Sequence, residues 1–381
     1  MIDFSKIKKS LRGACNVSET SRGLSFSRLP EWSYLQHAHN PNVAKMAERT
    51  SGVHFEIETA ADRITLTYRS IRDSAPEFNW IAGPATVAIT ANDFEQSISH
   101  SNGDLRVWDG ERVKEILEGE DSVAEFELPA VTSSRIVRIW LPQNCPVEVI
   151  NLEANSPWSP VSTSDRRKWV HYGSSISHCE DASGPLGVWP VAASRVLDVE
   201  IYNLGLSGCA NLDQFAARTI RHLPADLISL KVGINIVNGA NHTLSTFISA
   251  VHGFLDTIRE VHTNTPILLI SPICCPAHED NPGPSATDAS GQIVGQNLSE
   301  HDWIGELTLK RIRSALTEIV RVRSVTDSNL YYMDGLELFN QDEAKTMPDG
   351  IHPDAAGYKT IAENFLARYP RDWFRLKTSN N

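Results

Sequence analysis

Four short stretches of this 381-residue chain carry side chains suited to acyl-transfer chemistry. In HYGSSISHC, Ser174 and Ser175 follow a strand-like run and stand beside Gly173. A hydroxyl at such a turn is exposed, and a backbone N–H can point at whatever it attacks. In YNLGLSGCANLD, Gly208 lacks a side chain, so its N–H can approach a ligand closely. In LKVGINIVNG, the Asn235 amide could donate to a developing oxyanion. In MPDGIHPDAAGY, Asp349 and His352 stand three apart, just before a helix expected to run to about Arg368. A carboxylate so placed can fix the ring tautomer and leave the other nitrogen free to take a proton. Each stretch also has a plainer reading. Ser and Gly crowd ordinary turns, Asn235 can cap the turn that follows it, and Asp354 can cap the last helix with His352 on the surface.

Such groups act together only if something brings them to one place. Beyond residue 168 the apolar runs WVHYG, VEIYNLG, LISLKVG, ILLISPI and LYYMDG have strand length. Amphipathic stretches lie between them, at 188–197, 212–222, 244–261 and 307–321. Near-continuous apolar strands alternating with helices predict an α/β domain whose parallel sheet is covered on both faces. Such sheets place their sites in loops just past the carboxyl ends of the strands. The chemically able stretches sit at those loops or beside the last helix.

In this order the four stretches resemble the blocks of the SGNH hydrolases, the superfamily that includes the GDSL lipases and esterases. GSSIS is similar to the Ser block, NLGLSG to the Gly block, GIN to the Asn block and DGIH to the Asp-x-x-His block, over roughly residues 168–370. The resemblance implies a three-layer α/β/α, flavodoxin-like domain and a serine ester hydrolase that needs no cofactor. By it Ser175 takes the nucleophile's place and Asp349 and His352 complete the triad. Gly208 and Asn235 join the Ser175 N–H in an oxyanion hole. Ser174 stands where the family usually has Asp, and Ile236 where Asp often follows the Asn. Both departures bear on the hydrogen bonds that stiffen the serine loop. The implied reaction is cleavage of a short-chain acyl ester, O-acetyl on a small or carbohydrate-like molecule included, through an acyl-serine. The alternatives are a catalytically weak carbohydrate- or protein-binding module on the same fold, and a lipase or thioesterase for longer acyl chains.

The remaining chain has another rhythm. Between about 52 and 154, HFEIET, RITLTYR, TVAITA, LRVW, AEFEL, IVRIWL and VEVINL alternate at period two between turn residues, which predicts an antiparallel β-sandwich. With a less legible leading segment, 1–50, this makes an N-terminal accessory domain over 1–154. The Ser- and Pro-rich stretch 155–168 reads as a linker, and 169–381 as the catalytic domain. NGDLRVWDG, around Asp104 and Leu105, loosely resembles a Gly-x-Asp-Leu-Tyr signature of accessory domains in some SGNH members, with Asn102 and Arg106 replacing its Gly and Tyr. The long polar stretch from Cys274 to about Trp303 reads as a loop walling the substrate pocket or as an insertion. His278 within it, like Ser174, is a candidate for substrate contact, and His278 is also a rival base.

Composition narrows the class. A formal net charge of −12 disfavours binding to nucleic acid or an anionic membrane, since phosphate contacts need clustered Lys and Arg. The opening MIDFSKIKKSLRGAC shows no secretory signal and reads as cytoplasmic. No window approaches the roughly 18 apolar residues of a membrane span. The six cysteines have neither zinc-site nor disulfide-framework spacing, so reduced buried thiols and no metal are expected. The oligomeric state is not encoded in any motif.

Overall fold

The structure is a computed structural model that describes residues 3–110, 112–162, 166–295 and 306–368. The chain divides into two compact units. One comprises Met1–Arg166 with Cys179–Val191, the other Arg167–His178 with Ala192–Asn381.

The first unit is built on two β-sheets. One runs Leu11–Arg12, His54–Thr59, Arg135–Trp140, Ala85–Ala91, Phe94–His100, with Trp158–Pro160 also paired to His54–Thr59. The other runs Arg112–Leu117, Asp104–Asp109, Arg63–Ala75, Val147–Ala154, Leu24–Ser27, Asn16–Glu19. Ser122–Glu127 and Trp80–Ile81 also pair with its long central strand. Among the described residues these pairings are antiparallel except Arg63–Ala75 with Asp104–Asp109, which is parallel. Period-two alternation sends Ile64, Leu66 and Tyr68 inward, where they join Phe55, Ile57, Val87, Ile89, Val137 and Ile139 in one apolar core. Burying each such side chain contributes about 1.5–3 kcal/mol.

A buried polar cluster lies in the same unit. Asp73 accepts from Arg106 Nε at 2.8 Å, Trp108 Nε1 at 2.7 Å and Arg49 Nη2 at 3.0 Å. Arg49 also pairs with Glu180, and the Gln143 amide donates to the carbonyls of Glu180 and Ala182. Those bonds hold the segment Cys179–Val191 within this unit. Asp104 is likewise structural, since its carboxylate is buried under Arg22, Arg69 and the Gly119 N–H. The stretch expected as a linker is partly sheet. Trp158–Pro160 lies along His54–Thr59 as an edge strand, a position where proline is tolerated.

The second unit carries five parallel strands, Lys168–Gly173 (β1), Glu200–Gly205 (β2), Leu227–Lys231 (β3), Ile267–Ile270 (β4) and Leu330–Met333 (β5), in the order β2-β1-β3-β4-β5. Helix α1 (Ser175–His178) follows β1, and α2 (Gln214–His222) follows β2. Two helices, α3 (Ile234–Asn238) and α4 (Leu244–Arg259), follow β3, and α5 (Leu309–Arg323) follows β4. After β5 come α6 (Gln341–Ala344) and α7 (Ala355–Arg368). Every residue of β3 and β4 is buried, as expected of strands covered on both faces. Alternate residues of β1 show the two covers. Trp169 stacks on Phe365 of α7 at 5.1 Å between ring centres, while Tyr172, on the opposite face, meets Phe254 of α4 at 5.2 Å. Strand order reverses beside β1, so loops after β1, β2 and β3 leave the sheet side by side.

Candidate active site

Strand β1 ends in Gly173 and the chain turns straight into α1. The N–H groups of Ser177 and His178 return to the Ser174 carbonyl at 3.0 Å each. Gly173 is needed because a Cβ there would sit 2.2 Å from Ser177 Oγ. The turn buries residues 171–174 and 176–179 and leaves Ser175 between them reaching solvent. The helix stops at Cys179, whose φ of 57° is left-handed and cannot continue it.

The Ser175 hydroxyl lies 2.9 Å from Nε2 of His352, and Nδ1 of the same ring lies 2.6 Å from Asp349 Oδ2. The other carboxylate oxygen, Oδ1, accepts the backbone N–H groups of Ile351 at 2.9 Å and His352 at 2.7 Å. The Asp-Gly-Ile-His turn is thus folded around its own carboxylate. Burial pulls the Asp349 pKa up, but the bonds from the His352 ring and from these N–H groups outweigh it and hold it at about 2. An ionised carboxylate only accepts, so the ring proton sits on Nδ1 and Nε2 is left to accept from Ser175. Asp354 caps α7 through the Gly357 N–H at 2.8 Å, so the helix cap and the Asp–His pair coexist.

Gly208, after β2, has φ +68° and an exposed surface, with nothing within 4 Å of where a Cβ would point. Asn235, in α3 after β3, is buried, and its Oδ1 accepts the Ala210 N–H at 3.1 Å. That N–H can only donate, so the amide oxygen is fixed there and the NH2 branch turns away from Ala210. The loops are tied together elsewhere too. His178 Nδ1 and Ser207 Oγ are 3.0 Å apart, and Asn203 Nδ2 donates to the Ser177 carbonyl at 2.9 Å.

The geometry therefore brings Ser175, His352 and Asp349 together and joins the Gly208 and Asn235 loops. It does not bring in the two side chains expected to touch substrate. Ser174 is buried and its hydroxyl accepts the Ile176 N–H at 3.3 Å. His278 is fully buried, with Nδ1 3.2 Å from the Asn281 carbonyl and Nε2 2.8 Å from Ser285 Oγ. Both its ring nitrogens serve the loop's own fold, so it rivals His352 neither as base nor as contact. The described part of that loop instead braces the carboxylate turn. Ile293 N–H donates to the Asp349 carbonyl at 3.3 Å, and Gln292 Nε2 to that of Pro348 at 3.2 Å. Residues 296–303 of the expected pocket wall lie outside the described residues.

Sequence reasoning missed a row of buried polar side chains below the serine turn: Asn203 in β2, His171 in β1 and Ser229 in β3. The signal was there, since a histidine and a serine inside strands otherwise apolar on both faces must be satisfying each other or something nearby. None of the six cysteines forms a disulfide. Burial pushes the thiols of Cys209, Cys274 and Cys275 up to about 12, which makes them unreactive. Among the described residues no His, Cys, Asp and Glu cluster could hold a metal ion, and no helix is long and apolar enough to cross a membrane.

Residues 166–279 match the sequence model of the GDSL-like Lipase/Acylhydrolase family. No curated protein sequence matches the chain. Among solved structures, the chain is similar to the salicylyl-acyltransferase SsfX3 from a tetracycline biosynthetic pathway, with a TM-score of 0.75 and 23% identity over 93% of this chain and 92% of that one. It also resembles a family two carbohydrate esterase from Clostridium thermocellum in complex with cellohexaose (TM-score 0.58, 11% identity, 94% and 97% covered). Another family two carbohydrate esterase, from Cellvibrio japonicus, gives a TM-score of 0.53 at 13% identity, with 97% of each chain covered. At these identities the solved structures speak for the fold. Residues 166–279 therefore carry a GDSL-like lipase/acylhydrolase domain, which supports a serine esterase or hydrolase.

Proposed function

We propose that this esterase removes short acyl groups, O-acetyl among them, from a small hydroxylated or carbohydrate-like molecule by way of an acyl-Ser175 intermediate. The observation that carries the reading is the unbroken line from Ser175 Oγ through the His352 ring to the Asp349 carboxylate, at 2.9 and 2.6 Å. His352 takes the Ser175 proton as the oxygen attacks the ester carbonyl, and Asp349 stabilises the imidazolium that forms. The ring then returns the proton to the departing alkoxide, leaving Ser175 acylated. The N–H groups of Ser175 and Gly208 and the Asn235 NH2 hold the oxyanion, each such donor being typically worth about 3 kcal/mol. Water deprotonated by His352 completes the cycle and frees the carboxylate. The substrate class is supported by the neighbours' own descriptions, two being carbohydrate esterases and one an acyltransferase. The last of these suggests adding an alcohol acceptor to the test.

The experiment is turnover of p-nitrophenyl esters of rising chain length by the whole chain and by Ser175→Ala. Acetate should be cleaved fastest, and Ser175→Ala should be folded and inactive. Full turnover by Ser175→Ala removes the acyl-serine route, and a preference for octanoate or longer chains removes the short-acyl assignment. Product ester formed from an added alcohol at the expense of free acid would make transfer the main reaction instead.

A further inference from the structure

The serine turn is stiffened from beneath by side chains outside the four motifs. In the parallel register His171 of β1 lies level with Asn203 of β2 and with Ser229 of β3, so the three project from one face of the sheet as a polar row. All three are fully buried. Two of them reach the same residue of α1: His171 Nε2 lies 2.8 Å from Ser177 Oγ, and Asn203 Nδ2 donates to the Ser177 carbonyl at 2.9 Å. Ser229 supports the row from the other side. Its Oγ accepts the Trp169 indole N–H at 2.7 Å and lies 2.6 Å from His171 Nδ1.

One direction of donation satisfies these groups in turn. The indole N–H can only donate, so Ser229 accepts there and its own proton is free for His171 Nδ1. Burial, with the nearby charge of Lys231, pushes the His171 pKa down to about 3, so the ring is neutral. Its one proton then sits on Nε2 and goes to Ser177. By contrast, Ser174 offers the turn a longer bond, 3.3 Å to the Ile176 N–H. Packing reinforces the grip, because Ser177 sits directly over Gly173.

We propose that Ser177 is a positioning residue for the reaction. The row His171–Asn203–Ser229 locks it to the sheet, and through one helical turn it fixes where the Ser175 hydroxyl points. This rests on the acyl-Ser175 reading above. Ser177 touches no reacting atom; it acts by keeping Ser175 aligned with His352, and misplacement by about 1 Å can cost on the order of a hundredfold in rate.

The test compares Ser177→Ala, His171→Leu and their double variant with the parent and with Ser175→Ala. Readouts are kcat and KM for p-nitrophenyl acetate, the rate at which a fluorophosphonate labels Ser175, and the thermal midpoint. Ser177→Ala should lower kcat and the labelling rate together, by about tenfold, with KM within twofold. His171→Leu should do the same, and the double variant should be no slower than the worse single, since both remove one link. Ser177→Ala deletes a single oxygen and carries the test alone if His171→Leu does not fold. A folded Ser177→Ala with wild-type kcat and labelling overturns the proposal, as does a double variant whose loss is the product of the two singles. A lower thermal midpoint at unchanged kcat also overturns it, because Ser177 would then serve stability only. An active Ser175→Ala would instead strike the underlying acyl-serine reading.

Discussion

Replacing Asp349 by Asn should be worse for catalysis than replacing it by Ala, and better for stability. In the parent, Asp349 Oδ1 accepts two backbone N–H groups while Oδ2 faces the ring. An asparagine must keep its oxygen on those two donors, so its NH2 is forced toward His352 Nδ1. The ring must then accept at Nδ1 and carry its proton on Nε2, where it faces Ser175 and cannot take a second. The charge is lost as well. With charge centres about 4 Å apart the carboxylate–imidazolium attraction is about 4 kcal/mol at a dielectric of 20 and about 1 kcal/mol in water. The Asp349 side chain is 41% exposed, so about 2 kcal/mol is the fitting figure, roughly thirtyfold in rate. The wrong tautomer should carry the total to about 10³-fold or more. Alanine loses the charge but leaves the ring free to choose its tautomer against water, so about 10²-fold is expected. It also strands two N–H groups, costing about 1 kcal/mol of stability that asparagine retains. The assay is kcat for p-nitrophenyl acetate beside the thermal midpoint of each variant. An Asp349→Asn enzyme that keeps a tenth of the parent kcat, or outperforms Asp349→Ala, would refute the tautomer argument.

Two further outcomes concern the stability contributed by Gly208 and Asp73. Gly208→Ala forces a Cβ into φ +68° but meets no neighbouring atom, so it should cost about 1 kcal/mol in urea unfolding, and Gly208→Asn less; equal costs would place the strain elsewhere. Burial would raise the Asp73 pKa, but the Arg106 hydrogen bond and the charges of Arg106, Arg49 and Lys45 lower it to about 2. Its stabilising contribution is therefore complete above about pH 4 and lost as pH falls through 2, about 2 kcal/mol in all. Asp73→Asn should cost about 3–5 kcal/mol at pH 7 by removing the carboxylate that Arg49, Arg106 and Lys45 share, and the gap to the parent should narrow between pH 4 and 2 in urea titrations. A gap independent of pH would show that Asp73 does not titrate in that window.

Strands with one buried face could be read from the chain because burial imposes period two, as in Ile64-Thr65-Leu66-Thr67-Tyr68. Arg112–Leu117 could not, since all six of its residues are exposed and no face writes a pattern. In the second unit the five apolar runs stood out because β1 to β5 are covered on both sides. The groups that meet at Ser175 could be picked out because each follows a strand or precedes a helix, where turn chemistry is compact and local. Their support could not. His171, Asn203 and Ser229 lie on three strands, and only the sheet register makes them neighbours. His278 misled for the converse reason: an isolated histidine in a polar loop looks solvent-facing, while here the loop folds back and consumes both ring nitrogens. Ser174 likewise turns into the α1 cap.

The path of the chain has a consequence for how this protein can be cut or recombined. It passes from one compact body to the other after Arg166, returns after His178 and crosses again after Val191. A fragment beginning near residue 169 would carry thirteen residues deprived of Arg49 and Gln143, starting four positions beyond Ser175. The chain thus changes body three times. A cut meant to separate the bodies has to leave Cys179–Val191 with the β-rich one.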